Sequence, residues 1–294
     1  MFHGTYTALV TPFRDGKVDE AAFVRLIEFQ IEHGISGIVP VGTTGESPTL
    51  DHEEHIRVIE LAVKTAGGRC KVIGGTGSNS TAEAIDLTRE AERVGADAAL
   101  LVAPYYNKPS QEGLFRHFKA IAEATKLPLI LYSIPGRCGI EIGVDTVRRL
   151  AEACPNIIAI KESGGSIERV NALRAAVPDA FSILSGDDFI TLSFMAAGAR
   201  GVISVASNIV PRDIVEMVNA VIVQKLDLAQ QIHERLYPLF RDLFIEPNPV
   251  PIKTALAWAG KMSPEVRLPL CEMGEATAKK LRATLESLEL IPKS

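Results

Sequence analysis

The chain has 294 residues, 47% hydrophobic and 23% charged, which suits a globular protein with a large core and lacks the bias of disordered or fibrous chains. Its formal net charge of -5, with lysines and arginines scattered along the chain, excludes a phosphate-backbone or anionic-lipid surface and leaves small ligands as the expected partners. Cys70, Cys138, Cys154 and Cys271 show no C-x-x-C spacing, Met1 to Asp15 lacks the pattern of a secretory leader, and no apolar run approaches the roughly 20 residues that cross a bilayer, so a reducing cytoplasm is expected.

In chain order, short β-branched runs alternate with amphipathic stretches. A strand at Thr5 to Val10 precedes a helix at Glu20 to Glu32, and a strand at Gly37 to Val41 precedes a helix at His52 to Thr65. Strands at Lys71 to Gly75 and Ala98 to Ala103 are followed by helices at Ala82 to Val94 and Gly113 to Ala124. Leu129 to Ile134, Ile157 to Lys161, Phe181 to Ser185 and Gly201 to Val205 complete the strands, with helices at Val144 to Ala153, Ile167 to Ala176 and Phe189 to Ala197 between them.

Near-continuous apolar strands each followed by a helix imply parallel strands buried on both faces. The pattern predicts a (β/α)8 barrel over residues 1–223, with a doubly wound open sheet as the rival. From Val223 to Leu290 the pattern is helical throughout, broken at Glu246 to Pro251, so residues 224–294 are expected to form a helical extension packed on the barrel.

In such barrels the loops after the strands form the functional mouth. The strand Ile157 to Lys161 ends in a lysine there. Partial desolvation disfavours an ammonium and frees the amine for Schiff-base chemistry, although a strand-end lysine can also simply reach solvent. The preceding strand brings Tyr132 and Arg137 to the same mouth, a phenol able to shuttle protons and a planar fork suited to a carboxylate. After the second strand, Gly42-Thr43-Thr44-Gly45-Glu46-Ser47 can converge backbone N–H groups on an anion, or be a tight turn before a helix. Tyr105-Tyr106 after the fourth strand is an aromatic pair suited to a subunit boundary.

Gly42-Thr43-Thr44-Gly45-Glu46, Tyr105-Tyr106, Tyr132-x-x-Pro135-x-Arg137 and Ile160-Lys161-Glu162, in this order and spacing, resemble the dihydrodipicolinate synthase family. That family belongs to the pyruvate-dependent class I aldolases, with N-acetylneuraminate lyase, and the resemblance covers essentially the whole chain. It implies condensation of pyruvate with L-aspartate 4-semialdehyde, the first committed step toward diaminopimelate and lysine. Lys161 would carry the pyruvate imine, Tyr132 act as general acid/base, and Thr43 and Tyr106 complete its proton relay, Tyr106 from a neighbouring subunit. Thr43 and Thr44 would hold the pyruvate carboxylate, Arg137 the semialdehyde's, and Gly186 and Ile203 would supply backbone contacts near the imine. No metal or organic cofactor is implied. The resemblance also implies a homotetramer built from tight dimers and an L-lysine effector site at Ser47, His52, His55, Asn79, Glu83 and Tyr105.

Ser133 and Cys138 stand where asparagine and threonine are commoner in the family, and Lys161 is followed by Glu-Ser-Gly-Gly instead of Glu-Ala-Thr-Gly. A sister lyase cleaving a sugar acid is the nearest alternative, and Arg137 favours the synthase. Gly74-Gly75-Thr76-Gly77-Ser78 hints at a nucleotide or phosphate binder but lacks the complete dinucleotide and P-loop patterns. His52 and His55 are at i and i+3, where the zinc-protease helix needs i and i+4, so a solvated helix face or the effector site suits them better.

Overall fold

The computed structural model describes residues 2–293. Strand β1 (Gly4–Ala8) is buried along its whole length and enters a sheet that closes on itself. A two-residue Asp15-Gly16 turn with positive φ at both positions then joins β2 (Phe13–Arg14) to β3 (Lys17–Val18), a hairpin that the sequence pattern had not suggested. Its strands are too short to show a period of two.

Helix α1 (Glu20–Glu32), capped by Asp19, leads to β4 (Gly37–Val39). The alternation continues through α2 (His52–Ala66), β5 (Lys71–Gly75), α3 (Thr81–Arg93), β6 (Ala98–Val102), α4 (Gln111–Glu123) and β7 (Leu129–Ser133). A short helix α5 (Pro135–Cys138) precedes α6 (Val144–Ala153), β8 (Ile157–Glu162), α7 (Ile167–Ala176) and β9 (Ser182–Ser185). Then come α8 (Thr191–Ala196), β10 (Gly201–Ser204) and α9 (Pro211–Ile222). Serine or aspartate side chains cap several of these helices, and Asp51 and Glu54 form a reciprocal capping box on α2.

The barrel order is β1-β10-β9-β8-β7-β6-β5-β4, closed by parallel pairing of β4 with β1. This is the expected (β/α)8 barrel, and the open-sheet alternative is excluded by the closure. Gly75 and Gly77 serve it sterically: a Cβ would lie 2.2 Å from the Val41 carbonyl oxygen at the first and 2.2 Å from the Val102 nitrogen at the second. Close approach of neighbouring strand ends therefore accounts for the glycines that had hinted at a phosphate cradle.

The C-terminal segment departs from the continuous helical expectation. Helices α10 (Leu226–Asp242), α11 (Val250–Trp258) and α12 (Glu275–Ser287) are separated by a second non-helical stretch at 259–274, where Gly260 has φ +70 and prolines follow at 264 and 269. Val250 and Pro251, assigned to the break from sequence, open α11 instead, because a proline in the first helical turn forfeits no intrahelical hydrogen bond. Likewise, the expected Phe189 to Ala197 helix begins as a 3-10 turn and becomes α-helical only at Thr191. No helix among the described residues is long and apolar enough to cross a membrane.

This segment ties itself to the loop after β4. Lys253 of α11, fully buried, donates from Nζ to Glu46 Oε1 at 2.5 Å and lies 4.2 Å from the centroid of the Phe13 ring. Burial pulls the lysine pKa down and the Glu46 carboxylate opposes that shift. Arg267 adds a backbone N–H to Glu46 Oε2 at 3.1 Å, reaches Glu54 at 2.6 Å, and donates to the Gly16 carbonyl of the hairpin at 2.8 Å. Lys253→Met would leave Glu46 buried without its cation, and urea unfolding should show a loss of about 3–5 kcal/mol. Adding Glu46→Gln should recover much of that loss, because no unpaired charge then remains.

Candidate active site

At the ends of β7 and β8, Tyr132 and Lys161 are register partners. Lys161 is only 5% exposed, and its Nζ sits 4.2 Å from the centroid of the Tyr132 ring. Next in the strand, Glu162 is buried and accepts from Arg169 Nε at 2.9 Å and from the Gly164 N–H at 2.7 Å. Burial pushes its carboxyl above the usual range, with Arg169 opposing. Arg169 continues to the Ile142 carbonyl at 2.6 Å, to Glu141 at 3.1 Å and to Ser133 Oγ at 3.4 Å. Ser133, one of the departures from the family pattern, thus belongs to this supporting network, while Cys138 lines the cavity described below.

Gly186 follows β9 and donates its N–H to the Glu162 carbonyl at 2.9 Å. A Cβ there would fall 1.8 Å from Ser163 Oγ and 2.9 Å from Lys161 Cε, so the glycine gives the lysine stem its room. Ile203 is fully buried in β10 beside β9, and Asp188 fixes the turn beyond it by accepting from the N–H groups of Val205 and Ala206 at 3.0 and 2.9 Å. Asp187 is half-buried beside these groups. Burial pushes its carboxyl up to about 6, and Lys161 and Arg137 lie near enough to oppose that rise.

The threonine loop is tightly wound. Val41 and Glu46 both have positive φ, 58 and 55, and the N–H groups of Gly45, Glu46 and Ser47 are satisfied inside the loop. Glu46 caps nothing with its side chain, which turns to Lys253. Among the described residues, the N–H groups of Thr43 and Thr44 meet no protein acceptor, which leaves them available to an anion. Thr44 Oγ1 accepts from Asn248 Nδ2 at 3.0 Å, and the Asn248 carbonyl accepts from Arg137 Nη2 at 3.4 Å. Asn248 thereby couples the two expected carboxylate-binding residues.

Thr43 and Tyr132 share a small inner cavity of about 40 Å³. Thr43 also lines a larger cavity of about 350 Å³ with Arg137, Ser47, His52, His55, Glu83 and Tyr105. Asn79 holds the Tyr105 carbonyl at 3.3 Å, so the residues expected around an effector are gathered in one place. His52 Nε2 meets Glu83 at 2.8 Å, His55 Nε2 meets the Gly75 carbonyl at 2.7 Å, and Ser78 donates to Glu83. The bonds from Ser78 and His52 hold the Glu83 carboxyl below its ordinary range. Tyr106 is not drawn into either lining: its φ is +70 and the residue is 90% exposed.

Sequence reasoning missed Asp187, Asn248, Lys253 and Arg267. Two of them carried a signal. Asp187 directly follows Gly186 at a strand end, and Lys253 is the single cation of the apolar helix Val250–Trp258.

Residues 1–288 match the model of the dihydrodipicolinate synthetase family. The chain is 53% identical over 291 residues to the 4-hydroxy-tetrahydrodipicolinate synthase of Thermodesulfovibrio yellowstonii, covering 99% of this chain and 100% of that one. The crystal structure of dihydrodipicolinate synthase from Aquifex aeolicus is 50% identical and superposes with a TM-score of 0.98 over 100% of both chains. That of the Cyanidioschyzon merolae enzyme with lysine bound is 40% identical, with a TM-score of 0.96 over 99% of both. By sequence along its whole length and by the form of its barrel, the chain belongs to the dihydrodipicolinate synthetase family.

Proposed function

We propose that this lyase of the class I aldolase type joins pyruvate to L-aspartate 4-semialdehyde through an imine on Lys161, the reaction of a 4-hydroxy-tetrahydrodipicolinate synthase in the diaminopimelate route to lysine. The observation that carries the assignment of Lys161 is its burial against Tyr132, across the barrel mouth from a loop whose Thr43 and Thr44 N–H groups meet no protein acceptor among the described residues. Pyruvate's carboxylate occupies that loop, Nζ adds to its carbonyl carbon, and the carbonyl oxygen leaves as water to give the imine. The imine then acts as an electron sink, so a methyl proton leaves and the resulting enamine attacks the aldehyde carbon. The substrate's own amine closes the ring on the imine carbon and frees Lys161. No organic cofactor is required for these steps.

Tyr132 moves protons with Thr43, which shares its inner cavity, and Tyr106 completes the relay from a second copy in a homotetramer of tight dimers. Arg137 holds the semialdehyde's carboxylate, which favours the synthase over a sugar-acid lyase. Gly186 and Ile203 contribute backbone contacts near the imine. The larger cavity admits L-lysine as an effector, its ammonium met by Glu83.

Borohydride reduction in the presence of pyruvate should leave a mass adduct on the peptide containing Lys161, and its absence there would overturn the proposal. Arg137→Ala should raise KM for the semialdehyde roughly 10- to 100-fold, from the roughly 1.5–3 kcal/mol of a charge-assisted hydrogen bond, with little change in KM for pyruvate. Gly186→Ala should abolish borohydride trapping while far-UV circular dichroism stays that of the barrel, since the added methyl displaces the lysine stem. Steady-state rates should fall as L-lysine reaches millimolar concentration; unchanged rates would remove it as an effector.

A further inference from the structure

The Ser163 hydroxyl is buried at the barrel mouth without a use inside the protein: its Oγ is closed to solvent and meets no hydrogen-bond partner among the described residues. Its backbone is nevertheless fixed. The Ser163 N–H pairs with the Ser133 carbonyl of β7 at 2.9 Å, one residue beyond the end of β8. Strand alternation therefore carries through Ser163, and its side chain stands on the same face as that of Lys161, two residues nearer the mouth. A hydroxyl buried without a partner costs stability, and a ligand oxygen set against it would remove that cost.

The hydroxyl lies against the stem of the reactive lysine. Ser163 Oγ and Lys161 Cε pack over the same glycine: the point where a Gly186 Cβ would sit is 1.8 Å from the first and 2.9 Å from the second. Since Nζ is one bond beyond Cε, the hydroxyl stands beside the first atoms that join the amine. In the proposed reaction the pyruvate carboxylate lies across the mouth in the threonine loop, which leaves the carbonyl oxygen, two bonds from Nζ, in need of a donor. Charge develops on that oxygen when the amine adds. The aldehyde oxygen of the second substrate is four bonds from Nζ and is the more distant acceptor.

We infer that Ser163 Oγ donates a hydrogen bond to the pyruvate carbonyl oxygen while Nζ attacks, an assignment that rests on the reaction proposed above. Nζ bonds to the carbonyl carbon, and the C–O π pair moves onto the oxygen, where the Ser163 hydroxyl meets it. The oxygen then takes up a proton and the nitrogen gives one up, which makes the carbinolamine. A second proton on the new hydroxyl lets it leave as water with the C–O bond pair, while the nitrogen lone pair closes the protonated imine. Ser163 keeps its own proton throughout, and Tyr132 moves the others. The family's commoner Glu-Ala-Thr-Gly has alanine at this position, so the hydroxyl is an addition that speeds the step and not a requirement for it.

Exchange of pyruvate's methyl hydrogens in D2O, followed by NMR with no aldehyde present, reads imine and enamine formation alone. In Ser163→Ala that exchange should slow roughly tenfold, as expected for loss of one hydrogen bond to developing charge. The kcat/KM for pyruvate should fall with it, while kcat/KM for L-aspartate 4-semialdehyde holds. Ser163→Thr, which keeps the hydroxyl, should exchange near the wild-type rate. Far-UV circular dichroism confirms that each variant retains the barrel. Wild-type exchange in Ser163→Ala would overturn the assignment, and a loss confined to kcat/KM for the semialdehyde would do so by moving the hydroxyl to the aldehyde oxygen. Equal slowing in the alanine and threonine variants would also overturn it, leaving only packing against Gly186. Failure of borohydride trapping on wild-type Lys161 would sink the proposed reaction itself, whereas successful trapping with unaltered exchange in Ser163→Ala would sink only the role of Ser163.

Discussion

The barrel mouth depends on how strand β8 ends. Successive residues in a strand face opposite ways, so Lys161 and Glu162 belong to different environments although they are neighbours in the chain. Glu162 is tied to Arg169 at 2.9 Å, and Arg169 in turn grips the Ile142 carbonyl at 2.6 Å. A buried ion pair of this kind adds little net stability over an apolar pair, but it is costly to break from one side only. Its value here is positional. It fixes the strand backbone directly after the lysine, so that a long and otherwise flexible side chain emerges from a rigid support.

Opposite that strand, the threonine loop is rigid for a different reason. Two non-glycine residues, Val41 and Glu46, hold left-handed backbone conformations that cost energy unless their surroundings enforce them. Internal hydrogen bonds from Gly45, Glu46 and Ser47 consume the donors on one side of the turn, and those of Thr43 and Thr44 are left over. The Thr11 hydroxyl clips the Gly45 carbonyl from β1's side at 2.7 Å. Preorganised donors of this type act without reorganising at the moment of reaction.

The barrel was legible in the sequence because each strand is apolar on both faces and each joint is punctuated by glycine or proline. Lys161 and Tyr132 were legible because they stand at strand ends, Arg137 because it lies in the short helix just after one, and the threonine loop because its glycines and hydroxyls are contiguous. What escaped was long-range. Asn248 reaches Thr44 across 204 positions, and nothing local in Pro247-Asn248-Pro249 announces a contact with both Thr44 and Arg137. Lys253 stands out as the single cation of its apolar helix, but nothing local names Glu46, 207 positions away, as its partner. The break at 259–274 was overlooked because the apolar residues around it still fall at helical spacing while Gly260, Pro264 and Pro269 interrupt the backbone.

The ion pair between Glu46 and Lys253 spans 207 positions of the chain, and the Arg267 amide that shares the carboxylate is 221 positions away. A carboxylate cannot leave water cheaply before its cation arrives. During synthesis from the N-terminus, the threonine loop must therefore stay hydrated and loosely set while the strands and helices between are being made. The threonine loop is therefore among the last parts of the molecule to acquire its final shape, although its residues are among the first to be translated. Order of appearance along the ribosome and order of completion in space run in opposite directions here, and a chain stalled before residue 253 would hold most of the barrel without the finished threonine loop.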